Sequence, residues 1–250
     1  MRLFLRKNHS VKIGLSLILA IITNAIFLSY AESIGESEPA KRTLIYMPRA
    51  KNPPLVRIDG NSRSPDNNLP TLYALAPGHV GCTISAQPSL YWYQSRPTGA
   101  QCELVIMGED KTIPIFTMHY ESTDRAGIKE INLADHGIEL LKKIQYLWSI
   151  SLIPEPERRS KDIIATGMIE RIDPPEIVAS ALMTKSQEDL VYIFSKEGIW
   201  YDAVEKISHL ITSQPESSEL RMLRAELLDQ GNLIEVAEYD RDIITSTSSK

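Results

Sequence analysis

KIQYLWSISLI, residues 143–153, alternates along its length. Ile144, Tyr146, Trp148, Ile150 and Leu152 share one parity. Lys143, Gln145, Ser149 and Ser151 share the other, with Leu147 as the exception. A period of two places the first set on one face of an extended chain, so the stretch reads as a half-buried β-strand. Similar runs lie around it: TLYALA from Thr71, SLYWYQS from Ser89, CELVIMGE from Cys102, TIPIFTMHY from Thr112, IKEINLA from Ile128 and DIIATGMIERI from Asp162. Turn residues at Arg96–Gly99, Gly108–Asp110 and Asp124–Gly127 separate several of them. Pro114 has no amide proton to give a ladder and assigns its run to an edge or a bulge. About seven strands within residues 71–173 predict an antiparallel β-sandwich-like domain.

At Asp173 the period changes to that of a helix. Asp-Pro-Pro-Glu, 173–176, predicts a start with Asp173 as N-cap and Pro174 in the first turn. Ser186 opens a second helix that Gly198 ends. A third carries Trp200, Ala203, Val204, Ile207, Leu210 and Ile211 and stops at Pro215. Ser217 or Ser218 caps a fourth, which ends at Gly231, and a fifth holds Ile234, Val236 and Ala237. Ala203 and Ala237 lie 34 residues apart, as do Trp200 and Ile234. That period belongs to tetratricopeptide-type helical hairpins, and Pro215 falls where such a hairpin closes. Gly198, Trp200, Ala203, Pro215 and Ala237 are therefore the expected packing residues of the repeat. An ordinary antiparallel bundle predicts the same packing. Two hairpins are too few for a free solenoid, so the helices are expected to rest on the β-domain or on a partner. The chain is thus read as segregated α+β: a signal over 1–31, a disordered leader over 32–70, β-domain 71–173, helical domain 174–245 and a disordered tail 246–250. Within the leader, TLIYM at 43–47 could pair as a stray strand.

The signal rests on Arg2, Arg6, Lys7 and Lys12, then the apolar run Ile13–Leu28, then Ser29 and Ala31 at the small-residue positions. Cleavage is expected between Ala31 and Glu32. No other stretch is long and apolar enough to span a membrane. Loss of the signal takes Lys+Arg from 27 to 23 against 32 Asp+Glu, a net charge of −9. So acidic a chain is no general nucleic-acid binder. The expected address is periplasmic or extracellular, and both spaces admit disulfides.

That address bears on Cys82 and Cys102, the only two cysteines. SLYWYQS, the Pro97–Ala100 turn and CELVIMGE suggest a hairpin, and an even cysteine pair after export suggests a bridge between Cys82 and Cys102. His79-x-x-Cys82 has the gap of half a zinc site, but a second half is missing, and no nucleophile elbow, zinc-protease or phosphate-loop motif occurs. No cofactor, metal or catalytic residue is assigned. Tyr91 and Tyr93 fall opposite Leu90 and Trp92 and could form an outward patch for a partner. Arg221 and Arg224 lie one helical turn apart and could receive an acidic peptide.

The chain resembles a bacterial, largely cyanobacterial family, domain of unknown function 928. The resemblance is carried by LYALAPG (72–78), PSLYWY (88–93), YLWSISL (146–152), MIERI (168–172) and above all EGIWYDAVEKISHL (197–210). It covers about residues 70–238 and implies an exported protein with no assigned catalytic or ligand residues. The functional expectation is a non-catalytic interaction or adaptor protein of the envelope, binding a protein or peptide. The alternatives are an envelope hydrolase or carbohydrate-processing protein with a site in the β-domain loops, or a purely structural envelope component.

Overall fold

A computed structural model describes residues 42–49, 70–110, 112–121 and 125–247. The signal with its Ala31/Glu32 junction, most of the leader and residues 248–250 lie outside the described residues. Eight strands precede five helices: β1 (Leu72–Ala74), β2 (Gly81–Thr83), β3 (Ser89–Gln94), β4 (Gln101–Met107), β5 (Pro114–Glu121), β6 (Gly127–Asn132), β7 (Gln145–Ile153) and β8 (Ile163–Arg171). The helices are α1 (Glu176–Thr184), α2 (Gln187–Lys196), α3 (Trp200–Ser213), α4 (Ser218–Gln230) and α5 (Ile234–Thr247). The arrangement is segregated α+β, as the change of period at Asp173 predicts.

The strands form two sheets, one ordered β1-β3-β6 and one ordered β2-β8-β7-β4-β5. All pairings are antiparallel except that of β2 with β8. The inner face of the larger sheet is the parity set of the opening stretch, with Tyr146, Trp148, Ile150 and Leu152 buried together with Leu104, Ile106, Ile163 and Ala165. Leu147 falls outward, in register with Met107 and Met168. Across the seam Trp92 of β3 meets Tyr120 of β5 at a ring separation of 5.9 Å. Edge strand β5 begins at Pro114, opposite a register shift at Ile106/Met107, where the missing amide costs nothing.

Three expectations change. First, β3 and β4 are not a hairpin: β3 pairs with β1 and β6, and β4 with β5 and β7, so the Arg96–Gly99 turn carries the chain from one sheet to the other. Second, the Cys82–Cys102 bridge fails for the same reason. Cys82 on β2 and Cys102 on β4 are separated by β8 and β7, three spacings or about 14 Å. Their registers also differ along β8, where Cys82 aligns with Glu170 but Cys102 aligns through Leu152 with Ile163. A bridge needs Cα atoms within about 7 Å. Third, α1 starts at Glu176 behind Pro175 with no side-chain cap, and Asp173 instead pairs with Lys142. The α2 and α4 starts do follow the sequence, with Ser186 and Ser217 accepting from the amides of Asp189 and Leu220.

The 34-residue period is visible in backbone geometry. Gly198 and Asn232, 34 apart, both adopt left-handed φ, 68° and 61°. The bonds that close the turns repeat at the same interval: Ile199 N–H to Phe194 C=O (2.8 Å) and Leu233 N–H to Leu228 C=O (2.9 Å). The structural counterpart of Gly198 is therefore Asn232 and not Gly231, the glycine that follows α4. Asparagine fits there because its short polar side chain tolerates the left-handed region.

The helices share one hydrophobic core with the sheets. Helix α3 makes the joint. The Trp200 indole donates to Leu75 C=O (2.9 Å), Trp148 donates to the Tyr201 hydroxyl (2.8 Å), and Tyr201 donates to Met168 C=O (3.0 Å). All three bonds are buried, so polar atoms that would each cost a few kcal/mol if left unpaired instead fix the docking register.

Candidate functional site

Part of the expected leader is packed against the helices. Residues Leu44–Arg49 run extended over the joint. Leu44 and Tyr46 are 2% and 7% exposed, while Ile45 and Met47 are both 54% exposed. This is period-two alternation, yet the segment joins no sheet. Its backbone is held from the side. The Gln230 carboxamide accepts from Tyr46 N–H (2.7 Å) and donates to Leu44 C=O (3.0 Å), and Met47 N–H donates to Ser195 C=O (3.1 Å). One side-chain amide thus meets the N–H and C=O pair that a neighbouring strand would otherwise meet.

Each contact has a local cause. Gln230 is the last residue of α4, where the helix end frees its side chain to reach outward. Tyr46 stands edge-on to Trp200 at a ring separation of 4.9 Å, and its hydroxyl meets His79 Nε2 at 2.8 Å. Burial pushes the Tyr46 phenol far up and lowers His79, so both groups are neutral near pH 7. The Arg49 guanidinium donates to Glu197 C=O (3.2 Å) and lies 3.7 Å from the Glu197 carboxylate. Two glycines shape the surface. A Cβ on Gly198 would stand 2.4 Å from Met47 C=O, and one on Gly231 would stand 2.1 Å from the Trp200 ring. Gly198 therefore ends α2 and also lets the segment approach. Cys82 lies within electrostatic reach of Tyr46 and Arg49, its thiol pushed up to about 11 by burial first and then by Glu170. A thiol so protonated is no nucleophile at neutral pH.

A second polar cluster sits where α3 crosses the loop before β3. Asp202 accepts from Ile84 N–H (3.2 Å), and burial pushes its carboxyl up to about 7. Glu205, one turn on, accepts from Ser89 N–H (3.4 Å) and is also raised, by burial. Glu130 of β6 faces the hydroxyls of Ser89 and Tyr91 and meets His209 Nε2 at 3.2 Å. Burial alone would raise Glu130, but the nearby Ser89 and Tyr91 hydroxyls and the His209 contact outweigh it and hold the carboxyl low. Among the described residues no group of three or more His, Cys, Asp or Glu is arranged to hold a metal ion.

The sequence-predicted sites fall as follows. Trp200, Ala203 and Ala237 are fully buried between helices, and Pro215 lies exposed in the α3–α4 turn, where its carbonyl accepts from Arg221. Tyr91 does not face solvent. It is 3% exposed, because the helices cover the outer face of the three-stranded sheet. Tyr93 is half-buried against Tyr239 (5.1 Å). Arg224 is 5% exposed and forms a two-pronged pair with Asp240, both contacts at 2.7 Å, while Arg221 reaches the same carboxylate at 3.5 Å. Those arginines tie α4 to α5 and are not presented to an acidic peptide. The sequence reading passed over Tyr46, His79 as a phenol partner, Gln230, Asp202 and Glu205. The available signal was the alternation of Leu44 and Tyr46.

No helix among the described residues is long and apolar enough to cross a membrane. A search of curated proteins finds no match to the chain. The family model described as Domain of Unknown Function (DUF928) matches residues 58–240. That range holds all eight strands, α1–α4, the joint around Trp200 and every residue that grips the Leu44–Arg49 segment. The chain belongs to the domain of unknown function 928 family.

Proposed function

We propose that this is an exported, non-catalytic interaction protein of the cell envelope, acting in the periplasm or outside the cell, and that its tetratricopeptide-like helical unit binds a segment of a partner protein. One observation carries the reading: the helical face already holds an extended peptide stretch, gripped through its backbone by the Gln230 carboxamide. Backbone capture with side-chain pockets at alternate positions is how extended peptides are recognised elsewhere. The basic, apolar and small-residue order of residues 1–31 supports export.

A hydrolase with a site near the β-domain loops has one observation in its favour, the gathering of Glu130, Asp202 and Glu205 from a strand and a helix. Asp202 and Glu205 are already engaged by the Ile84 and Ser89 amides, and Glu130 by His209. That suits a structural seam better than a hydrolytic pair facing a substrate.

The test uses the exported chain as bait in envelope extracts, followed by direct binding to whatever it retains. A discrete protein that binds the purified chain at micromolar or tighter Kd supports the proposal. Turnover of a glycoside, ester or peptide substrate with no retained protein refutes it, and self-assembly alone points to a structural component.

A further inference from the structure

Leu44–Arg49 differs from an ordinary core element in three respects. It lies ahead of the family-matched range 58–240, whereas His79, Ser195, Glu197, Gly198, Trp200 and Gln230, which hold it, all lie within that range. Among the described residues three backbone hydrogen bonds hold it, two of them to one side chain, and it joins no ladder there. Twenty residues, 50–69, separate it from the first residue described thereafter, Pro70.

We propose that Leu44–Arg49 is an intramolecular ligand that a partner replaces, and that the partner presents an extended segment with an aliphatic residue, a tyrosine two positions on and an arginine three further on. This deepens the interaction-protein reading and rests on it. The pattern follows from the contacts. The Leu44 position is sealed in the core cluster and takes an aliphatic chain. The Tyr46 position needs a hydroxyl, because a phenylalanine would leave His79 Nε2 facing apolar surface. The Arg49 position meets both the carbonyl and the carboxylate of Glu197. The residues between point outward, as Ile45 and Met47 do, and are unconstrained. The resident segment then sets a threshold. A tethered ligand meets its site at an effective concentration on the order of 1 mM. For an intrinsic Kd of about 10 μM this weakens any free competitor about 100-fold, so weak or partial matches are rejected.

The experiment places a specific protease site within residues 50–69 of the full chain and cuts after folding. The probe is a fluorescent synthetic peptide of residues 43–49, read by anisotropy. The expected result is binding with a Kd on the order of 10 μM to the cut, diluted chain and at least 10-fold weaker binding to the uncut chain. A Tyr46→Phe peptide should bind about 5–10-fold more weakly, the loss of one hydrogen bond. Circular dichroism and tryptophan emission check that the cut chain stays folded. If the cut chain is folded but takes up no peptide, the segment is a permanent part of the core and the proposal fails. Equal binding to cut and uncut chains also defeats it, by placing the peptide elsewhere. A partner retained by the whole chain alongside either failure would leave the interaction-protein reading standing and remove only this inference.

Discussion

Asp202→Asn should stabilise the protein much more at alkaline pH than at acid pH. Asp202 lies in the first turn of α3, buried against Thr83, the Ile84 amide and Glu205. Burial is the main cause of its raised pKa, about 7 against 3.8 for an exposed aspartate. The folded chain therefore keeps a proton that the unfolded chain has released between about pH 4 and pH 7. Stability is highest below the unfolded value and falls as pH rises through about 7. At 1.36 kcal/mol per pH unit, the full cost of the charged form is about 4 kcal/mol. Asparagine carries no charge, keeps an acceptor for the Ile84 amide and loses a favourable helix-dipole term of about 0.3–1 kcal/mol. The net gain above pH 8 is then about 2–4 kcal/mol, or about 4–16 °C in melting temperature for a unit of this size. Thermal melts of parent and variant at pH 5 and pH 8.5 read it directly. Glu130 and Glu103 also titrate, but they are common to both proteins and cancel in the difference, whereas Glu205, whose charge helps raise Asp202, is relieved by the same substitution and adds to the gap. If the gap between the two melting temperatures is the same at both pH values, the buried-carboxylate argument is wrong.

Gly231→Ala should lower stability by about 1–3 kcal/mol, since the new methyl overlaps the Trp200 ring, which its bond to Leu75 holds in place; a red shift of tryptophan emission in the folded state would accompany the drop in melting temperature. Arg224→Met should cost about 3 kcal/mol, the low end for breaking a buried pair because Arg221 still reaches Asp240 at 3.5 Å, while Arg224→Met with Asp240→Leu should recover most of it. Urea melts of the two variants decide this, and equal loss in both would show that packing, not charge, is at stake. Protein purified without reductant and unfolded in guanidinium should titrate two thiols with Ellman's reagent; none would mean that Cys82 and Cys102 do bridge, and that the sheet order is wrong.

Local pattern determined a good deal of this protein. Period-two runs located seven of the eight strands, because side-chain alternation is a property of each strand by itself. The missed strand, β2, is as short as β1 but sits between Gly78-His79 and Ser85 rather than in an apolar run such as TLYALA. Serine caps and left-handed turn residues placed the later helices, and the 34-residue spacing reappeared as a repeated turn at Gly198 and Asn232. What needed the tertiary structure was which strand lies beside which. A turn such as Arg96–Gly99 looks alike whether it closes a hairpin or crosses between sheets, and that choice separated Cys82 from Cys102. Burial of a second face is equally non-local. Tyr91 alternates as an outward residue, and only the helices packed above make it core. Arg224 reads as solvated until Asp240 is brought to it from the next helix. The candidate site is the extreme case. Leu44 and Tyr46 stand in a stretch whose composition suggests a linker, and Gln230 is 184 residues from Tyr46. Sequence supplies the alternation, but only the folded surface supplies something for it to face.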